Sequence, residues 1–206
     1  MTRALLLCAL AGCASTATGS AGDLDALHRG LARNASDPEA HLRLGLHWAR
    51  AGDGLRAQQY LERAWQLGAD PRRALPPLVR VDLALSCWEA ALRHADALSE
   101  VLERDCAARR EPGVCAAAAE ALSTTATLQD TLGRPLRARD LFLAALRANP
   151  RLGDAHLGLA RIQAQVLGDP SAAADTLRRG IRVANGGAPA AEMRVMLDDL
   201  EHGGPR

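Results

Sequence analysis

The sequence predicts an all-α solenoid: about four helix-turn-helix units stacked side by side, with a capping helix at each end. Three observations carry that prediction. The stretch from Asp37 to Pro71, DPEAHLRLGLHWARAGDGLRAQQYLERAWQLGADP, places apolar and small residues at helical spacing on either side of one turn, Ala51-Gly52-Asp53-Gly54. Its packing positions then recur every 34 residues: Gly45 and Val79, Ala57 and Ala91, Ala64 and Leu98, and, further on, Ala126 and Ala160 (160 − 126 = 34). The composition is 48% hydrophobic but only 2% aromatic, so Ala and Leu must do most of the packing, as suits helices that approach closely. Two short amphipathic helices cannot bury their apolar faces alone, which is why the unit comes in copies.

A 34-residue helix-turn-helix period is that of the tetratricopeptide class of solenoid. The chain resembles the tetratricopeptide repeat family in Leu44-Gly45, Trp48, Gly52-Asp53, Ala57, Leu61, Ala64 and Pro71. Matching residues in the third copy are Gly133, Ala138, Phe142, Ala145 and Pro150; in the fourth they are Ala155, Leu159-Ala160 and Gly168-Asp169. The second copy departs from the pattern, with Pro76-Pro77 in its first helix and Ser86 in place of the turn glycine. The resemblance covers most of residues 23–201 and implies a right-handed solenoid that binds proteins.

Taken in order, residues 1–12 read as a signal peptide: Arg3 precedes an apolar run, Ala4 to Ala11, too short to span a bilayer, which needs about 20 residues. Leu10-Ala11-Gly12-Cys13 resembles the lipobox of bacterial lipoproteins. That resemblance implies that Cys13 becomes the mature N-terminus and carries a thioether-linked diacylglycerol and an acylated amine, enough acyl chains for stable anchoring. Ala14 follows Cys13 where an Asp would signal retention in the inner membrane, so the resemblance favours the outer membrane, facing the periplasm. Residues 13–22 give the lipidated Cys and a small, polar tether, whose random-coil reach is roughly 15–18 Å.

Residues 23–33 predict a short amphipathic cap, followed by the first repeat. In the second repeat, from about 71 to 104, Pro76 and Pro77 are expected in the first turn of a helix that starts near Arg73 or Ala74, where proline is tolerated. Val79 and Ala126 lie 47 apart, 13 more than the period, which places an insertion near 105–117, DCAARREPGVCAA, with a turn signal at Pro112-Gly113. Cys106 and Cys115 flank it and can form a disulfide closing a ten-residue loop, worth about 2.5–3 kcal/mol in the chain-entropy account. Pairing of Cys87 with either of them is the alternative; no His or acidic cluster with ligand spacing accompanies them for a metal. The third repeat turns at Leu132-Gly133-Arg134, and the fourth at Leu167 to Pro170, with Ser171 expected to cap its second helix and Asn185-Gly186-Gly187 to end it. Residues 189–201 predict a final amphipathic helix, and 202–206 a frayed tail.

Several function classes are disfavoured. The formal net charge is +1 and every cation other than His is Arg, so no general electrostatic case exists for nucleic acid. Three Trp, one Tyr and one Phe make no stacking platform for single strands. No nucleophile elbow, Gly-rich phosphate loop or HExxH is present, so no enzyme, cofactor, metal or small-molecule substrate is expected. His41 and His156, at equivalent places in repeats one and four, read as packing residues, and His94 has no ligand partner at metal spacing. In the family the first helices of successive repeats line a concave groove for an extended peptide or a helix. Carried across, the groove takes Leu42, Leu46, Ala49 and Arg50 from repeat one; Arg73, Arg80 and Leu83 from repeat two; Ser123, Thr127, Asp130 and Thr131 from repeat three; and Leu157, Arg161, Ala164 and Gln165 from repeat four. Such a surface suits an apolar segment bearing acidic residues. The expectation is a lipid-anchored scaffold or assembly factor of the bacterial cell envelope, as in pilus or secretin machinery; the alternative is an accessory subunit of an envelope enzyme.

Overall fold

A computed structural model describes residues 21–183 and 188–202 of the chain. The expected signal peptide, Cys13, most of the tether, Asn185-Gly186-Gly187 and all of the tail but His202 lie outside them. The described residues form ten helices and no strand: α1 (Ala21–Arg33), α2 (Pro38–Ala51), α3 (Gly54–Gln66), α4 (Pro71–Ala84), α5 (Trp88–Arg109), α6 (Pro112–Thr131), α7 (Pro135–Ala148), α8 (Gly153–Gln165), α9 (Pro170–Val183) and α10 (Ala188–His202). Each helix packs on the next. The pairs α2/α3, α4/α5, α6/α7 and α8/α9 are the four repeats, between the caps α1 and α10.

Local chemistry sets the boundaries. Asp37 Oδ1 accepts from the backbone N–H of Glu39 and Ala40, Asp53 Oδ1 from Arg56, and Asp70 Oδ1 from Arg72, all at 3.0–3.3 Å. Pro38 and Pro71 follow two of these caps in the first helical turn, where the missing N–H costs nothing. The cap of α9 is Asp169, which accepts from Ala172 N at 2.9 Å, and not Ser171; Ser171 lies inside the helix because Pro170 already starts it. The turns within repeats one, three and four use Gly52, Gly133 and Gly168 at φ +80°, +72° and +65°, while the second repeat puts Ser86 there at φ +57°. An L side chain in that left-handed region costs about 1–2 kcal/mol.

Two features of the second and third repeats differ from expectation. Helix α4 starts at Pro71, so Pro76 and Pro77 stand inside it, beyond the first turn. The 13 extra residues make no separate loop near 105–117. They lengthen α5 to 22 residues and α6 to 20, leaving Arg110 and Glu111 as the connection. Arg110 supplies the left-handed C-cap at φ +54°, and Pro112-Gly113 opens a helix. Proline at a first helical position reads like a turn when seen in sequence alone. Cys106 and Cys115 are joined across this hairpin, with their Cα atoms 4.7 Å apart, and Cys87 is free. Arg72 holds the same region from α4: its Nε and Nη2 donate to Asp105 at 2.6 and 2.7 Å, and these bonds hold the Asp105 carboxyl below the usual carboxylate range.

The core is a row of small-residue interfaces. Leu42, Leu61, Leu75 and Leu78 centre the first cluster, Ala91, Leu92 and Leu128 the next, Leu122, Phe142, Leu159 and Ile162 the third, and Leu177 and Met193 the last. Glycine permits the closest approaches: a Cβ on Gly45 would sit 2.6 Å from Leu61 Cγ, and one on Gly158 would enter the Phe142 ring. His41 and His156 perform one job in two repeats, each donating Nε2–H to a carbonyl six residues earlier, Ala35 O at 3.0 Å and Pro150 O at 2.9 Å.

Burial holds the His156 imidazole below its ordinary pKa; Arg179 adds to that and the Pro150 carbonyl opposes it. The unfolded chain therefore takes up this proton first as pH falls below about 6.5, and stability drops with it. Above that pH the contribution is complete. His156→Gln, which keeps an N–H donor, is expected to flatten the fall of melting temperature as pH drops below about 6.5; an unchanged slope would show that His156 does not contribute.

Candidate protein-binding groove

The first helices of the repeats form one side of the stack. Helix α2 touches α4, α6 touches α8, and α8 touches α10, but α4 and α6 do not pack closely on each other. Depressions follow this line. Leu46, Ala49 and Arg50 of α2 with Pro77, Arg80, Val81 and Ala84 of α4 enclose about 390 Å³. Arg80 also borders the next cleft, about 510 Å³ in the gap between α4 and α6, floored by Ala95, Leu98 and Leu102 of α5. Glu120, Ser123, Thr124 and Thr127 of α6 meet Leu152 and Asp154 around a third, of about 370 Å³. Leu157 and Arg161 of α8 face Ala191, Glu192, Val195, Met196 and Asp199 of α10 across the last, again about 390 Å³.

The residues assigned to the groove from sequence divide into two groups. Leu46, Arg50, Arg80, Leu83, Thr127, Leu157 and Arg161 line these depressions. Leu42 does not: it is 0% exposed, packed in the cluster of Leu61, Leu75 and Leu78, and cannot meet a partner. Arg73 is exposed but occupied, its two terminal nitrogens each donating to Glu39 at 2.8 Å, which ties the start of α4 to that of α2. Asp130 and Gln165, near the C-terminal ends of α6 and α8, border none of the four depressions. The hydroxyl proton of Thr127 is committed to Ser123 O at 3.0 Å, so toward a partner it can only accept.

Sequence reasoning missed the acidic half. Glu120 and Asp154 are exposed, border the third depression together, and stand one repeat apart (154 − 120 = 34), so the period itself could have found them. The groove therefore changes sign along its length. Arg50 and Arg80 share the first depression with no carboxylate within ion-pair distance among the described residues, and Glu120 and Asp154 likewise lack a cation. Exposed charges of this kind steer and orient an approaching chain more than they hold it.

The sequence also missed a buried network beneath the groove. Asp82 of α4, 0% exposed, accepts from Gln58 Nε2 of α3 and pairs with His94 Nδ1 of α5, each at 2.6 Å. The Trp65 and His94 rings stand edge to face, 5.2 Å between centroids. With both carboxylate oxygens and the imidazole enclosed, this is a structural clasp across three helices. Among the described residues no helix is long and apolar enough to cross a membrane.

No family model and no characterised protein matches the chain in sequence. Solved structures do match its fold. PilF of Pseudomonas aeruginosa superimposes with a TM-score of 0.60 at 15% identity, over 88% of this chain and 76% of that one. MamA from Desulfovibrio magneticus gives 0.58 at 18% identity, over 79% and 84%. A tetratricopeptide repeat protein from Parabacteroides merdae gives 0.61 at 16% identity over 81% of this chain, which spans only 60% of that longer protein. The fold is that of the tetratricopeptide repeat solenoids.

Proposed function

We propose that this tetratricopeptide-type solenoid is a lipid-anchored scaffold of the bacterial cell envelope that works by holding a segment of a partner protein in its groove. The observation that carries the binding half of this reading is the first depression, where Leu46 and Ala49 present apolar surface beside the unpaired guanidinium groups of Arg50 and Arg80. Arg suits this task because its planar fork meets carboxylates in pairs of hydrogen bonds. The anchoring half rests on Leu10-Ala11-Gly12-Cys13 and the short apolar run before it. Within the envelope, the reading favours an assembly or stability factor for a larger outer-membrane machine of the pilus or secretin type, a task that a groove holding a partner segment would serve by positioning other proteins.

Metabolic labelling with a palmitate analogue, with fractionation of wild type and Cys13→Ala, tests the anchor. Label on the wild type in the membrane fraction, and an unlabelled, soluble Cys13→Ala protein, is the expected result. Equal fractionation of the two without label would remove the lipid anchor and the address that depends on it.

A further inference from the structure

The space between α4 and α6 differs from the rest of the groove. Elsewhere along the groove, successive first helices pack on one another; here α4 and α6 pack less closely, and α5 of the lengthened α5/α6 hairpin floors the space between them. The cleft so opened, about 510 Å³, is walled by Val79, Leu83, Leu98, Leu102, Ala117 and Ala121. Its charged residues are Arg80 on the α4 side and Glu120 on the α6 side. Beyond Arg80 lies Arg50, and beyond Glu120 lies Asp154, so the cleft is centred on the point where the groove changes sign. A uniformly acidic segment would meet repulsion at Glu120 and Asp154, and a uniformly basic one at Arg50 and Arg80. Only a segment with charges in a set order is matched from the first depression to the third.

We propose that this cleft is the anchor pocket for an aliphatic side chain of a zwitterionic partner segment, whose acidic residue pairs with Arg50 and Arg80 and whose basic residue pairs with Glu120 and Asp154. The inference rests on the groove reading above and adds to it the chemistry and polarity of the occupant. An apolar pocket ringed by complementary charges is the arrangement in which one buried side chain carries most of the affinity. The disulfide Cys106–Cys115 closes the hairpin one turn beyond Leu102 on α5 and two residues before Ala117 on α6, tying the far wall to the floor.

The test uses the purified full chain against a phage-displayed library of random dodecapeptides, followed by anisotropy titration of the selected peptide made synthetically. Enrichment of the order acidic, aliphatic, basic is expected. Binding should fall at least tenfold with Ala117→Trp, which fills the cleft from its wall, and with Arg50→Glu/Arg80→Glu. Leu102→Gln, which makes the floor polar, serves if the Trp variant does not melt like the wild type. Enrichment of wholly acidic peptides that need both arginines but ignore Ala117→Trp and Leu102→Gln would overturn the cleft while leaving the groove reading intact. No enrichment, or binding indifferent to Arg50→Glu/Arg80→Glu, would overturn both. A dimer by light scattering that Ala117→Trp converts to monomer would make the occupant a second copy of this chain, and would equally overturn the proposal.

Discussion

Asp82→Ala is expected to destabilise the protein by about 3–5 kcal/mol, the range for removing one member of a buried, hydrogen-bonded pair. The carboxylate joins Gln58 and His94 to its own helix from a site with no exposure. Truncation leaves the buried His94 Nδ1 without its acceptor, at about 1–3 kcal/mol for a buried polar group left unpaired, and strips the half-buried Gln58 amide of its partner. For a chain of this size that lowers the melting temperature by roughly 6–20 °C, readable in far-ultraviolet circular dichroism. The double replacement Asp82→Leu/His94→Leu should cost less than Asp82→Ala alone, because it removes both sides of the pair in favour of apolar contact. A loss under about 1 kcal/mol for Asp82→Ala would contradict the clasp.

Phe142→Ala should cost a similar amount, about 3–5 kcal/mol, at the other end of the stack. Phe142 is 1% exposed and is the largest fully buried side chain. Its cluster also holds Leu122, Leu159 and Ile162, and how far these relax into the hole sets where in that range the cost falls. Gly158 offers a second check, because its missing Cβ is what admits the ring. Gly158→Ala should destabilise the wild type yet be nearly harmless in Phe142→Ala. Additive losses from the two changes would show that ring and glycine do not share one space.

The architecture was readable because it repeats. A period of 34, caps at Asp37, Asp53 and Asp70, and turn glycines at 52, 133 and 168 are local signals that each copy restates, and a degenerate copy is interpreted by its neighbours. The lengthened α5/α6 hairpin was not readable in that way, since it occurs once and Pro112-Gly113 is compatible with both a turn and a helix start. The clasp left no trace either: Asp82 and His94 are 12 residues apart on different helices, and nothing local distinguishes them from solvated charges. In the groove, position within the repeat located Leu46, Arg80, Thr127 and Arg161, which stand at the same place in the four first helices. The same logic failed for Leu42 because the α3–α4 layer covers that end of α2, and for Arg73 because Glu39, one repeat earlier, already holds it. What a repeat register cannot reveal is which of its polar positions are already paired with each other.

On the proposed reading, a partner protein sits in the groove. Photo-crosslinking in living cells, with a benzophenone amino acid placed in turn at Leu46, at Leu83 and at the exposed Leu143 of α7, tests it most directly. One discrete protein adduct is expected from Leu46 and Leu83, lost with Arg50→Glu/Arg80→Glu, and none from Leu143. Adducts of equal yield at all three positions, or adducts at Leu46 and Leu83 that survive the charge reversal, would contradict it.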